Sequence, residues 1–314
     1  MMPASKAAIA YKRSLKLMGN RFELTVVCEN EEVANLKLDI AIKEIQRIET
    51  LLTTYSEDSQ TNKVNQMAGI QPVIVDDEFF QLVKRSIRIS EITQGAFDIT
   101  YGSIDKRFWN FDNTMKSMPS IAEARQRVHL INYRNIVLDE KNKTIFLAQK
   151  GMRIGFGGIG KGYAAEMAKQ VLKKEGVSSG IVNAAGDLTV WGTQPNGQQW
   201  TIGIADPNAA NRLFSYLTLS DMAVATSGNY EKFVLINGKK YSHTINPKTG
   251  LPVQGIKSVT IFSPNAEIAD AMATPVMIMG IKVGLNLINQ LNHLHCIIID
   301  DDDRIHTSKN INLQ

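Results

Sequence analysis

The stretch "RIGFGGIGKGYAAEMAKQVLKKEGVSSGIVNAAGDLTVWG" (153–192) carries the most fold information in the chain. Glycines at 155, 157, 158 and 160 form a loop that opens onto a helix with Lys161 at its start. The helix is expected to end near Gly176, after which the chain returns as strand and turn. Working outward, residues 12–29 alternate like a strand broken at Gly19–Asn20, and 31–52 carry apolar positions at helical spacing. The polar run 53–66 reads as a loop, 77–93 as a helix closed by Gly95, and 94–104 as irregular or short extended chain. A short helix is expected over 120–129, and strands over 134–138 and 143–148 flank the hairpin turn "DEKNK". Strands dominate from about 198 to 245. Helices follow over 265–279 and in "IKVGLNLINQL", then "HCIIIDDDDRIHTS" gives a strand, an acidic turn and a short strand. This order has no strict βαβ rhythm. It predicts an α+β fold, mostly antiparallel sheet with helices packed on one face.

The 314 residues are 44% hydrophobic and 21% charged, an ordinary globular balance. No linker rich in Pro, Gly or Ser marks a boundary, so one domain over 1–314, or two intimate subdomains, is expected. A net charge of +4 from 35 basic and 31 acidic residues suits a phosphate-bearing ligand but is too dispersed for nucleic acid. Cys28 and Cys296 sit in apolar, strand-like runs and read as buried thiols. With five scattered histidines and no zinc spacing, a His/Cys metal site is not expected. The chain has no run of about 18 apolar residues, so no transmembrane segment is expected. "MMPASKAAIAYKRS" has no apolar h-region. A cytoplasmic location is expected for the chain as it stands, and a periplasmic one if a leader preceded it.

Four constellations could carry chemistry. "GFGGIGKGYA" (155–164) can cradle an anion on main-chain N–H groups with Lys161 beside it, or pack a helix close to a strand. It fits neither the Walker pattern nor a Rossmann fingerprint. In "YSHTINPKTGLP" (241–252), His243 precedes a turn with Pro247 at its first central position, and either faces a ligand or is structural. Asp270 and Thr274 stand one helical turn apart on an otherwise apolar helix. With main-chain carbonyls they make an all-oxygen set suited to Mg²⁺, or else they serve as a cap and a back-bonded hydroxyl. Tyr55, Phe97 and Tyr101 stand among amides and acids in two loops, where they hold a flat heterocycle or merely anchor the loops.

Taken in order, eight segments resemble the signatures of the FAD:protein FMN transferases, the ApbE family: "LMGNRFEL", "YSEDSQTNKVN", "GAFDIT", "GGIGKGYA", "VNAAGDL", "ATSGNYE", "HTINPKTGLPV" and "SVTIFSPNAEIADAMAT". The resemblance runs nearly end to end. It implies an ApbE-like α+β fold related to the T-fold sheets, and an enzyme that uses Mg²⁺ and takes FAD as substrate. Such an enzyme joins FMN through a phosphoester to a Thr or Ser of an acceptor flavoprotein subunit of the redox-pump type, releasing AMP. By position it implies Mg²⁺ ligation by Asp270 and Thr274, with the main-chain carbonyls of Gly158 and Ala273. It places Met18, Tyr55, Asn65, Ala96, Phe97, Asp98, Lys161 and Ile245 at the flavin nucleotide. His243 would stand beside the reacting phosphate as base or positioning group, with Asp270 the alternative base. Two other readings share this site: an FAD pyrophosphatase yielding FMN and AMP, and a protein that binds FAD without turnover. Four departures stand out: Gly155 where relatives often carry Asp, Gly160 where Ala is common, Ala185 where a second Gly is common, and Asn246 where Asp is common. Pro275, directly after Thr274, lacks an N–H and is expected to kink or interrupt its helix.

Overall fold

Alternation along Asn20–Cys28 buries Phe22, Leu24, Val26 and Cys28 on one side, as a sheet covered by helices requires. The computed structural model describes residues 8–104, 117–206, 209–229, 233–236, 239–309 and 311. Eight strands build the main sheet: β1 (Ile9–Leu17), β2 (Asn20–Cys28), β3 (Gly180–Ala184), β4 (Asp187–Trp191), β5 (Met222–Gly228), β6 (Ile256–Ser263), β7 (His295–Asp300) and β8 (Ile305–Thr307). Each pairs antiparallel with the next, so the spatial order is the chain order. The other described helices and strands are inserted between these strands. The β2–β3 connection holds α1 (Glu31–Leu52), α2 (Gln60–Gln66), α3 (Asp77–Ile92), α4 (Ile121–Arg127) and α5 (Gly160–Lys174). It also holds a small sheet of strands 73–74, 144–147 and 136–139. The β6–β7 connection holds α6 (Ala266–Met279) and α7 (Ile281–Ile288).

α1, α5 and α6 lie side by side over one face of the sheet, α1 on β1 and β2, α5 on β3 and β4, and α6 on β5 and β6. Neighbouring residues split between the two faces. Val26, Val182, Ala225 and Ile298 join the large core under the helices, while Ile181, Val224 and Ile297 join a second apolar cluster. The hairpin of strands 200–206 and 209–219 contributes Trp200 and Ile202 to that second cluster. The fold is therefore α+β with an antiparallel sheet and helices on one face, as the pattern predicts. Cys28 and Cys296 are buried free thiols, also as expected. Among the described residues no helix is long and apolar enough to cross a membrane.

Three local expectations are corrected. Residues 53–66 are not all loop: Ser59 accepts the Asn62 N–H and starts α2, a polar helix whose Thr61 and Asn62 bond the main chain of 52 and 54. Its burial comes from polar side chains tied to backbone, which a hydrophobic pattern does not register. The 94–104 segment contains a 3₁₀ helix, Ile99–Ser103, because Asp98 caps it through the Thr100 N–H at 2.8 Å. Pro275 does not interrupt its helix, since Ala266–Met279 is continuous. Proline removes only the N–H that the Ala271 carbonyl would have accepted. The strand β6 was unassigned by pattern, because all of its residues but Lys257 are buried and no alternation shows. Parts of the strand-rich 198–245 region (207–208, 230–232 and 237–238), and with them the last two residues of "ATSGNYE", lie outside the described residues.

α5 and α6 cross with almost no separation. A Cβ at Gly162 would lie 2.2 Å from the Ala266 carbonyl oxygen and 2.6 Å from Asp270 Cβ. Gly157 in the preceding loop has nothing within 4 Å of its would-be Cβ. Gly162→Ala is therefore expected to cost about 1–3 kcal/mol by overpacking, and Gly157→Ala to stay within about 0.5 kcal/mol. Thermal unfolding of the two variants beside the parent chain measures both.

Candidate active site

The first turn of α5 leaves N–H groups without intrahelical partners. Its N-cap is Ile159, whose side chain cannot accept them. The acceptor comes from the neighbouring helix: Gly162 N–H donates to Asp270 Oδ2 at 2.8 Å. A carboxylate at this position also meets the positive end of the α5 dipole. The tie is reciprocal, because Glu166 of α5 accepts the Ala266 N–H, the first of α6, at 3.0 Å. From the other side, Arg85 of α3 grips Glu267 of α6 through two bonds of 2.7 and 3.0 Å. Asp270 is thus fixed at the crossing of two helices.

A second carboxylate faces the same place. Asp187 opens β4 after the tight turn at Ala185 and Gly186, both with positive φ, and is 5% exposed at its side chain. It holds Lys161 Nζ at 2.5 Å and takes the main-chain N–H of Thr226 in β5. Beside Thr226, the Ser227 hydroxyl bonds the Thr274 hydroxyl at 2.9 Å. The site therefore gathers Lys161, Asp187, Ser227, Asp270 and Thr274 from α5, β4, β5 and α6. Burial pushes the Asp270 carboxyl up to about 8, helped by the negative charge of Asp187 and opposed by Lys161 and the Gly162 N–H. Burial also raises Asp187, more than its pairing with Lys161 lowers it. Among the described residues the Lys161 ammonium is paired with Asp187, while Asp270 feels its charge without pairing to it.

The glycine-rich loop forms the approach to this cluster. Asn65 holds it from below, donating to the Ile154 carbonyl at 3.0 Å and accepting the Ile154 N–H at 2.7 Å. Gly155 N–H donates to the Ile99 carbonyl at 2.9 Å, and Phe156 packs edge-on against Phe79 with centroids 5.4 Å apart. Met18, in the β1–β2 turn at φ 50°, reaches the start of α5, with its methyl 3.7 Å from where a Gly160 Cβ would be. Phe97 lies likewise 3.8 Å from a Gly158 Cβ. Gly155 meets only Thr54 Cγ2, at 3.8 Å, and has no positive φ, so its backbone would accept a side chain.

The remaining sequence-selected residues are placed differently. Ala96 is buried beside Phe97, and Tyr55 stands 95% exposed on the 53–59 loop. Asp98 is committed to the Thr100 N–H and hydroxyl and to the Tyr133 N–H. Ile245 is fully buried with Ile104, Ala124 and Val128, and its main chain bonds the Tyr101 hydroxyl. His243 follows the strand Lys239–Ser242 and is partly buried. The turn beyond it has Pro247 at its first central position, as expected: Thr249 N–H donates to the Asn246 carbonyl at 3.2 Å, and Asn246 Oδ1 takes the Lys248 N–H. That is a bond Asn makes as well as Asp. Ala273 is buried within α6 and Gly158 partly buried in the loop. Sequence reasoning missed Asp187 and Ser227, although both lie in quoted motifs. Each looks like a turn residue until the sheet brings its partner alongside.

With Asp270 above the ordinary carboxylate range, the folded protein holds a proton between about pH 4 and pH 8 that the unfolded chain releases. This group's contribution to stability therefore falls as pH rises through that window. In chelator, the melting temperature of Asp270→Asn minus that of the parent should grow from about pH 4 to pH 8 and flatten above it. Scanning calorimetry across pH gives the difference directly.

The sequence model of the ApbE family matches residues 18–298. An FAD:protein FMN transferase of Klebsiella pneumoniae (strain 342) is 30% identical over 291 residues, covering 92% of this chain and 89% of that protein. One from Treponema pallidum (strain Nichols) is 28% identical, covering 85% and 78%. The crystal structure of the ApbE protein of Thermotoga maritima superposes with a TM-score of 0.86 at 29% identity, covering 96% of this chain and 97% of the other. The apo flavinyl transferase ApbE of Pseudomonas stutzeri superposes at 0.84 with 24% identity, covering 96% and 95%, a likeness of fold.

Proposed function

The chain belongs to the ApbE family, and on that premise we propose that it is an FAD:protein FMN transferase. The reaction moves FMN from FAD to a Thr or Ser hydroxyl of an acceptor flavoprotein, with AMP leaving. The observation that carries this reading is the cluster of buried Asp187 and Asp270 with the partly buried Lys161, Ser227 and Thr274, at the end of a glycine-rich loop. It is a place built for opposite charges to meet, which is what transfer at a pyrophosphate needs.

The donor set fits Mg²⁺. Among the described residues no three His, Cys, Asp or Glu side chains converge as a metal cluster. What is present is hard oxygen. Asp270 uses Oδ2 for the Gly162 N–H, and among the described residues its Oδ1 receives no hydrogen bond. The Thr274 hydroxyl is oriented by Ser227. We assign Asp270 and Thr274 as the side-chain ligands, with the Gly158 and Ala273 carbonyls beside them. When bound, Mg²⁺ polarises the pyrophosphate and offsets charge on the departing AMP.

The chain's own residues do the rest. Lys161 and the loop's main-chain N–H groups receive the phosphates. Met18, Ala96 and Phe97 line the flavin end, and Tyr55 is exposed where it can close over a flat ring. Asn65, Asp98 and Ile245 hold the walls, since their side chains are engaged within the fold. The acceptor hydroxyl forms the new P–O bond as the bond to AMP breaks, and His243 takes the hydroxyl proton. Asp270 is less suited to that task, because its carboxylate is tied to α5 and assigned to the cation.

The test is to incubate the chain with FAD, Mg²⁺ and an acceptor flavodomain, and to read in-gel flavin fluorescence. Labelled acceptor supports the transferase, FMN and AMP without labelling supports the pyrophosphatase, and unchanged FAD overturns both. His243→Ala should slow transfer by ~10²–10⁴-fold with FAD binding little changed. Gly155→Asp should fold normally and bind FAD more tightly, as isothermal calorimetry would show.

A further inference from the structure

Lys161 lies next in sequence to Gly162, whose N–H holds Asp270, yet its ammonium turns to Asp187. The alternative partner is close at hand, for Lys161 and Asp270 lie within electrostatic reach of one another. An ammonium on Asp270 would occupy the carboxylate that the proposed cation needs. Three features keep it away. The turn at Ala185–Gly186 delivers Asp187 to the spot, the Thr226 N–H fixes its carboxylate, and burial makes the 2.5 Å pair hard to break without leaving a charge unpaired.

We infer that Asp187 is a positioning residue: it holds Lys161 off Asp270 and so keeps the Asp270 carboxylate open to a divalent cation. Asp187 acts through Lys161 and is not itself a ligand. Lys161 keeps 29% of its side chain exposed while its ammonium is held by the buried Asp187. A fixed internal partner also means that the cation need not displace Lys161 on entry. This inference rests on the reading that Asp270 holds the cation.

The experiment uses Mn²⁺ as probe and the whole chain without FAD, with free Mn²⁺ followed by electron paramagnetic resonance. Asp187→Asn should weaken Mn²⁺ binding by roughly 10-fold, because Lys161 then settles on Asp270. Lys161→Met should tighten it, since the competing cation is gone and two carboxylates remain. The double variant Asp187→Asn with Lys161→Met should regain at least the parent's affinity. Recovery in the double variant is the readout that a merely structural role for Asp187 would not give. Parent-like binding by Asp187→Asn overturns the inference. So does a double variant as weak as Asp187→Asn, which would make Asp187 a direct ligand or a structural support. If Asp187→Asn fails to fold, Lys161→Met decides alone, and weaker binding there overturns the inference. Asp270→Ala separates the two levels: parent-like affinity in that variant removes the cation from Asp270 and fails the underlying reading instead.

Discussion

α5 and α6 cap one another. Asp270 of α6 accepts an unpaired N–H from the first turn of α5, and Glu166 of α5 accepts the first N–H of α6. Both bonds require the helices to touch, and they touch because residue 162 has no Cβ. This contact sets where the glycine-rich loop ends, where Lys161 starts and where Thr274 lies one turn beyond Asp270. It also answers why an apolar helix carries a carboxylate. Asp270 is first a cap for its neighbour.

The glycines of 155–162 are not one device. Gly162 is demanded by packing, whereas Gly155 sits in ordinary space and would tolerate a side chain. A glycine-rich motif read as a string suggests a single anion cradle. In space it divides into a helix crossing at one end and an open approach at the other, with Met18 and Phe97 against its middle. The two readings left open by the sequence, anion loop and close packing, apply to different residues.

How much the sequence discloses follows from how local each cause is. α1, α3, α5 and the β1–β2 hairpin carry their own apolar periodicity and turn residues, and they stand where pattern places them. α2 escaped notice because its stability lies in buried polar side chains bonded to backbone, and β6 because it is buried on both faces. Of the residues that gather at the candidate site, motif order singled out Lys161, Asp270 and Thr274. It did not single out Asp187 and Ser227, since their partners come from α5 and α6, far away in the chain. Asn65, Asp98 and Ile245 stand in the quoted motifs, but the main-chain bonds of the first two and the apolar packing of the third were not legible there.

The main sheet runs in chain order, which is the simplest of antiparallel topologies, yet its neighbours are not equally easy to pair. β1 meets β2 across a two-residue turn, whereas Leu24 of β2 must wait for Val182 of β3, with α1 to α5 between them. Closing so long a loop carries an entropy cost before any pairing is gained, and such contacts form slowly. Met18 sits on the near side of that closure, Lys161 close to its far end, and Asp270 beyond it. During synthesis, then, the amino-terminal hairpin and α1 can settle early, while the cluster around Lys161, Asp187 and Asp270 is assembled only when the second half of the sheet has zipped on.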